Sequence, residues 1–111
     1  MRKKLGMPNI PFLVGGLGDF LKDYVDPTNL KNYPYVNEAL KATAEHVDNV
    51  AFVSAVGLTS NPDNLHFNSK SLREFGIRYY EEYKKLALVG DSAAEKKQIV
   101  GGRSSTAMEL L

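Results

Sequence analysis

No cysteine occurs in these 111 residues. Disulfides, thiolate metal sites and cysteine nucleophiles are thereby excluded. A surplus of charge is also missing: 14 basic residues face 13 acidic ones, giving +1 and a pI near 7.9. That balance offers no electrostatic footing for nucleic acid or an anionic membrane. Arg2, Lys3, Lys4 and Arg103 lie toward the two ends of the chain rather than on one recognition face. No apolar run approaches the ~18 residues needed to span a bilayer. The basic start is not followed by an export signal, because Pro8, Asn9 and Pro11 interrupt what would be its apolar core. Histidine is scarce, with only His46 and His66.

What is present reads as one α/β domain of ordinary composition, 43% apolar and 24% charged. Met1 to Leu5 resembles the last turn of a helix, closed by Gly6 as its C-cap. So short a helix does not form alone in water, and the chain is expected to start inside a larger domain. The apolar run Ile10 to Val14, closed by Gly15 and Gly16, predicts a strand buried on both faces. Leu17 to Tyr35, which holds Gly18, Pro27, Asn29, Asn32 and Pro34, predicts a loop with at most one helical turn. Val36, Leu40, Ala44 and Val47 predict a helix over residues 35–47, and Val50 to Val56 a second strand. Strand, helix and strand together make a βαβ unit of a parallel sheet.

A second helix is predicted over residues 69–86, with Leu72, Phe75, Gly76, Tyr79, Tyr83 and Leu86 as its inner stripe. Asn68, Ser69 or Ser71 can each cap it, and Ser71 and Glu74 have capping-box spacing. Gly76 costs ~1 kcal/mol in a helix interior relative to alanine, which implies close approach of helix and sheet. Arg73, Arg78 and the other charged residues of this helix read as a solvated face. From residue 89 the pattern dissolves into an expected flexible tail, with residues 1–88 as the folded part. Two strands and two helices leave each strand short of neighbours and the sheet short of cover.

The chemistry concentrates in Asn61-Pro62-Asp63-Asn64-Leu65-His66-Phe67-Asn68. This loop leaves the carboxyl end of the second strand, the side on which doubly wound sheets bind ligands. An imidazole can take a proton from a hydroxyl nucleophile and return it to a leaving group. It needs a carboxylate on its other nitrogen to fix the tautomer, and Asp63, three residues before His66, can supply one within a single turn. Asn-Pro-Asp-Asn is also a good turn for backbone reasons alone, so on the residues both readings stand. As metal ligands the pair lacks a third donor spaced nearby. His46 reads as a surface residue at a helix end.

Val14-Gly15-Gly16-Leu17-Gly18 is not a dinucleotide fingerprint, and Gly90-Asp91-Ser92 reads as a helix cap rather than a nucleophile motif. Tyr79, Tyr80 and Tyr83 read as packing residues.

Asn9-Ile10-Pro11-Phe12-Leu13-Val14-Gly15-Gly16-Leu17-Gly18, Val36-Asn37-Glu38-Ala39-Leu40, Asp63-Asn64-Leu65-His66-Phe67 and Gly76-Ile77-Arg78-Tyr79-Tyr80 follow one another in a telling order. From about residue 5 to residue 86 the chain resembles the carboxyl-terminal part of the sialate O-acetylesterase and acetylxylan-esterase group of SGNH hydrolases. The resemblance implies a flavodoxin-like three-layer sandwich with a parallel sheet, of which this is the carboxyl-terminal portion. It implies hydrolysis of acetyl esters on sugars through an acyl-enzyme, with no metal or organic cofactor. His66 would be the general base and then acid, and Asp63 its orienting carboxylate. The family's serine, in a Gly-Gln-Ser-Asn type block, and its oxyanion-hole block have no counterpart here, and Ser92 lies on the wrong side of His66 in chain order.

The isolated chain is therefore expected to be nearly inactive. Its expected partners are an acetylated carbohydrate and a complementary amino-terminal portion or a second copy. The competing expectation is a non-catalytic α/β module, or truncated product, that pairs with another chain.

Overall fold

Two short apolar runs become β1 (Phe12–Gly15) and β2 (Val50–Val53), and the helix between them becomes α1 (Tyr33–His46). The computed structural model describes residues 1–25 and 30–101, with side chains as far as residue 88. The strands pair in parallel, Phe12 opposite Val50 and Gly15 opposite Val53, as the βαβ pattern requires. Strand alternation sends Leu13, Gly15, Ala51 and Val53 to one face and Phe12, Val14, Val50 and Phe52 to the other. The first face meets α2 (Ser69–Gly101); on the second, Lys41 of α1 lies 5.6 Å from the Phe52 ring.

The core lies under α2. Val53 is fully buried and packs with Ala55, Leu58 and Phe75, flanked by Leu13, Phe67 and Tyr79. A Cβ at Gly15 would overlap the Tyr79 hydroxyl, so glycine there lets the tyrosine lie across β1.

The amino-terminal turn forms as expected. Gly6 has φ +67°, its N–H donates to Lys3 O at 3.2 Å, and Met7 N–H donates to Arg2 O at 3.0 Å. These two bonds are a Schellman closure, with Gly6 in the left-handed position. Arg2 fastens the turn to the sheet: its guanidinium donates to the carbonyls of Ile10 (2.8 Å), Asp48 (2.9 Å) and Asn49. Asn49, itself at φ +59°, donates its amide to Asn9 O at 2.8 Å.

Several expectations are corrected. The first helix starts at Tyr33, with Pro34 in its opening turn where a missing N–H costs nothing. Val36 and Val47 of its supposed inner stripe are exposed, and Asn37 turns inward instead. The Leu17–Tyr35 loop holds two 3-10 turns, Asp19–Asp23 and Leu30–Asn32, and its Pro27 lies outside the described residues. On α2, Leu72 and Tyr83 are exposed, and a Cβ at Gly76 would meet nothing within 4 Å, so this glycine does not serve close packing against the sheet.

Arg78 is no solvated charge. It donates to Ser54 O at 2.9 Å and Val56 O at 2.8 Å, satisfying carbonyls that leave β2. The α2 helix continues past residue 86 to Gly101, with Asp91 and Ser92 inside it rather than capping it. Residues 102–111 of the expected tail lie outside the described residues.

Phe75 joins the helix to both strands, so truncating it should be felt across the fold. Phe75→Ala should lower stability by roughly 3–5 kcal/mol, read as an earlier midpoint in urea unfolding. An unchanged midpoint would place the core elsewhere.

Candidate active site

After β2 the chain turns back on itself. Asn61 N–H donates to His66 O at 2.8 Å and Asn68 N–H donates to Thr59 O at 3.1 Å, bracketing an antiparallel bridge between Ser60 and Phe67. Asn64 closes the tip in the left-handed region at φ +56°, where asparagine is tolerated far better than a branched residue. Phe67 points into the core, its ring 5.1 Å from both Phe20 and Phe75. Alternation along the bridged segment then turns the neighbouring His66 outward.

Asn68 fixes the base of this loop. Its Oδ1 accepts from Ser71 N–H at 2.9 Å, the N-cap bond of α2, and its Nδ2 donates to Thr59 Oγ1 and to Ser60 O. Of the three capping residues the sequence allowed, Asn68 holds the position. The buried Ser71 hydroxyl is engaged by Thr59, accepting its N–H at 2.8 Å and lying 3.1 Å from its Oγ1.

Asp63 and His66 meet at the tip. The Nδ1 of His66 lies 2.6 Å from Asp63 Oδ2, while Oδ1 accepts the N–H groups of Leu65 (2.9 Å) and His66 (3.0 Å). The imidazole hydrogen bond, followed by the two backbone donors, lowers the Asp63 carboxyl from 3.8 to about 2. An ionised carboxylate only accepts, so neutral His66 carries its proton on Nδ1 and leaves the Nε2 lone pair free. The His66 side chain is 70% exposed, and Nε2 has no partner among the described residues. Chemically this is an oriented, accessible base.

The remaining candidates separate from this pair. His46 sits on the last turn of α1, with Nδ1 2.7 Å from Ala42 O. Among the described residues no three His, Asp or Glu side chains gather as a metal site. The side chain of Ser92 lies outside the described residues. A groove of about 170 Å³ opens between α1 and the carboxyl ends of the strands, lined by Leu17, Tyr33, Asn37, Lys41, Phe52 and Ser54 among others; neither Asp63 nor His66 borders it.

The sequence reading missed Asn37. Its side-chain amide pairs with both backbone groups of Leu17, accepting at 2.8 Å and donating at 3.0 Å, and so holds the glycine-rich turn after β1. Nothing in the pattern of side chains marks this contact, because its partners are backbone groups 20 residues away.

A model of the carbohydrate esterase, sialic acid-specific acetylesterase family matches residues 1–85, a span that includes Asp63 and His66. The chain belongs to that family. No curated protein matches it.

The lowered carboxyl makes the loop sensitive to acid. Because the folded pKa lies below the unfolded one, the Asp63 contacts contribute stability above about pH 4 and lose it as pH falls toward 2. A carboxyl-resonance titration should place the Asp63 midpoint near 2. A midpoint at the ordinary aspartate value would mean that the three hydrogen bonds do not persist.

Proposed function

We propose that residues 1–88 are the carboxyl-terminal part of an SGNH-type, flavodoxin-like domain that hydrolyses O-acetyl esters on sugars such as sialic acid or acetylxylan. In this reading Asp63 and His66 are two members of a Ser-His-Asp triad, and the serine comes from polypeptide outside these 111 residues. The observation that carries the reading is the Nδ1–Oδ2 contact of 2.6 Å, made on an imidazole whose Nε2 faces solvent. Family membership independently supports carbohydrate acetylesterase chemistry.

The reaction then runs as follows. Nε2 accepts the proton of the serine hydroxyl as its oxygen attacks the acetyl carbonyl. The tetrahedral intermediate collapses, and Nε2–H delivers that proton to the departing sugar oxygen. Water next attacks the acetyl-serine with Nε2 again taking a proton, which returns to the serine as acetic acid leaves and then ionises in solvent. Throughout, Asp63 stays ionised: it holds the Nδ1 proton in place and stabilises the transient imidazolium.

In an enzyme containing the serine block, His66→Ala should reduce acetyl-ester kcat by roughly 10⁴-fold with the fold intact, and Asp63→Asn should act through the tautomer with a comparable or smaller loss. Turnover that survives His66→Ala would remove this residue from the mechanism.

A further inference from the structure

The groove between α1 and the carboxyl ends of the strands takes no part in the chemistry of Asp63 and His66, yet it opens on the ligand side of the sheet. The turn after β1 stands between the two. Leu17 and Asp19 border the groove, whereas Phe20 of the same turn packs edge-on against Phe67, the residue after His66.

The lining combines fixed polar groups with aromatic surface. Gly16 lets the Phe52 ring pack against the turn, since a Cβ there would come 2.8 Å from the ring. Asn37 pins Leu17 through its amide, and these two bonds use only one of its two N–H groups and one of its two oxygen lone pairs. Tyr33 donates its hydroxyl to Asp19 O at 3.3 Å, which leaves the phenolic oxygen able to accept. Lys41 lies 5.6 Å from the Phe52 ring and 3.9 Å from Glu38. A sugar ring matches such a mixture: its hydroxyls both donate and accept, and its faces carry C–H groups that pack on aromatic carbon. Charge narrows the class. Two carboxylates, Asp19 and Glu38, line the groove with a single ammonium, Lys41, so an anionic occupant is disfavoured. The volume of about 170 Å³ is below the ~300–1,000 Å³ of pockets that enclose drug-sized ligands, and suits one ring.

We infer that this groove holds one neutral pyranose unit, the neighbour of the acetylated sugar, and that acetylated glycan chains are therefore preferred to free acetylated monosaccharides. That preference rests on the function proposed for Asp63 and His66, whereas sugar binding by the groove does not. Neither Asp63 nor His66 borders the groove, so the ring it holds is not the one whose ester reacts. The shared turn sets the two units side by side, one against Leu17 and Asp19 and the other toward Nε2 of His66.

Binding is measured first on the full 111-residue chain, by amide chemical-shift perturbation. The probes are xylobiose and lactose, both neutral, and N-acetylneuraminic acid, which carries a carboxylate. A neutral disaccharide should saturate in the millimolar range and move the amides of Leu17, Asn37 and Ser54, with the acidic sugar about tenfold weaker or more. The tighter of the two neutral probes distinguishes a xylan from a galactose-bearing glycan. Lys41→Ala and Tyr33→Ala should each weaken binding about tenfold, Tyr33→Phe should restore most of it, and Lys84→Ala on α2 should leave it unchanged. Absence of saturable shifts, or an affinity untouched by Lys41→Ala and Tyr33→Ala alike, overturns the site. Tighter binding of the acidic sugar overturns the neutral assignment. In an enzyme containing the serine block, Lys41→Ala should raise KM for the O-acetylated form of the tighter disaccharide about tenfold more than for the acetylated monosaccharide. Equal changes overturn the preference for chains. Sugar binding that persists while His66→Ala keeps full turnover upholds the groove and removes the catalytic reading of His66.

Discussion

Three parts of this molecule hang on one residue, Asn68. It caps α2 through Ser71 N–H, grips Thr59 and Ser60 on the opposite arm of the loop, and closes the loop's base through its own N–H. Each bond satisfies a polar group that would otherwise be left over, at a helix start or at a strand exit. Because the same residue serves both, the helix and the hairpin-like loop are held in one relation. Phe67 beside it is packed in the core, and His66 is thereby presented to solvent.

The orientation of His66 is a local matter. The three groups donating to Asp63 come from Leu65 and His66, all within three residues of the carboxylate. A turn of this kind sets the imidazole with little help from distant parts of the fold. The bulk of the domain contributes a platform: a parallel pair of strands whose carboxyl ends aim the loop, and an aromatic chain of Phe20, Phe67, Phe75 and Tyr79 beneath it.

That locality explains what could be read from the chain. The two strands and the start of α2 at Ser69 follow from apolar runs and turn residues, whereas α1 begins two residues before the start its apolar stripe suggested; Gly6 as a helix stop follows from its need for positive φ. The Asp63–His66 contact was visible as spacing within a turn, although its geometry was not. Arg2, Asn37 and Arg78 were opaque. Each satisfies backbone carbonyls or amides far away in sequence, and a carbonyl leaves no mark in the pattern of side chains. Gly76 misled for a related reason: a glycine in a helix signals a need for space, but not what will use it.

The central claim is that Asp63 holds His66 as a base with its lone pair on Nε2. The most direct measurement is a long-range proton–nitrogen correlation spectrum of the imidazole at a pH where His66 is neutral. The account predicts a single tautomer, with the proton on Nδ1 and an unprotonated Nε2 that Asp63→Asn releases into a mixture. A proton resident on Nε2, or a tautomer mixture untouched by Asp63→Asn, would contradict it.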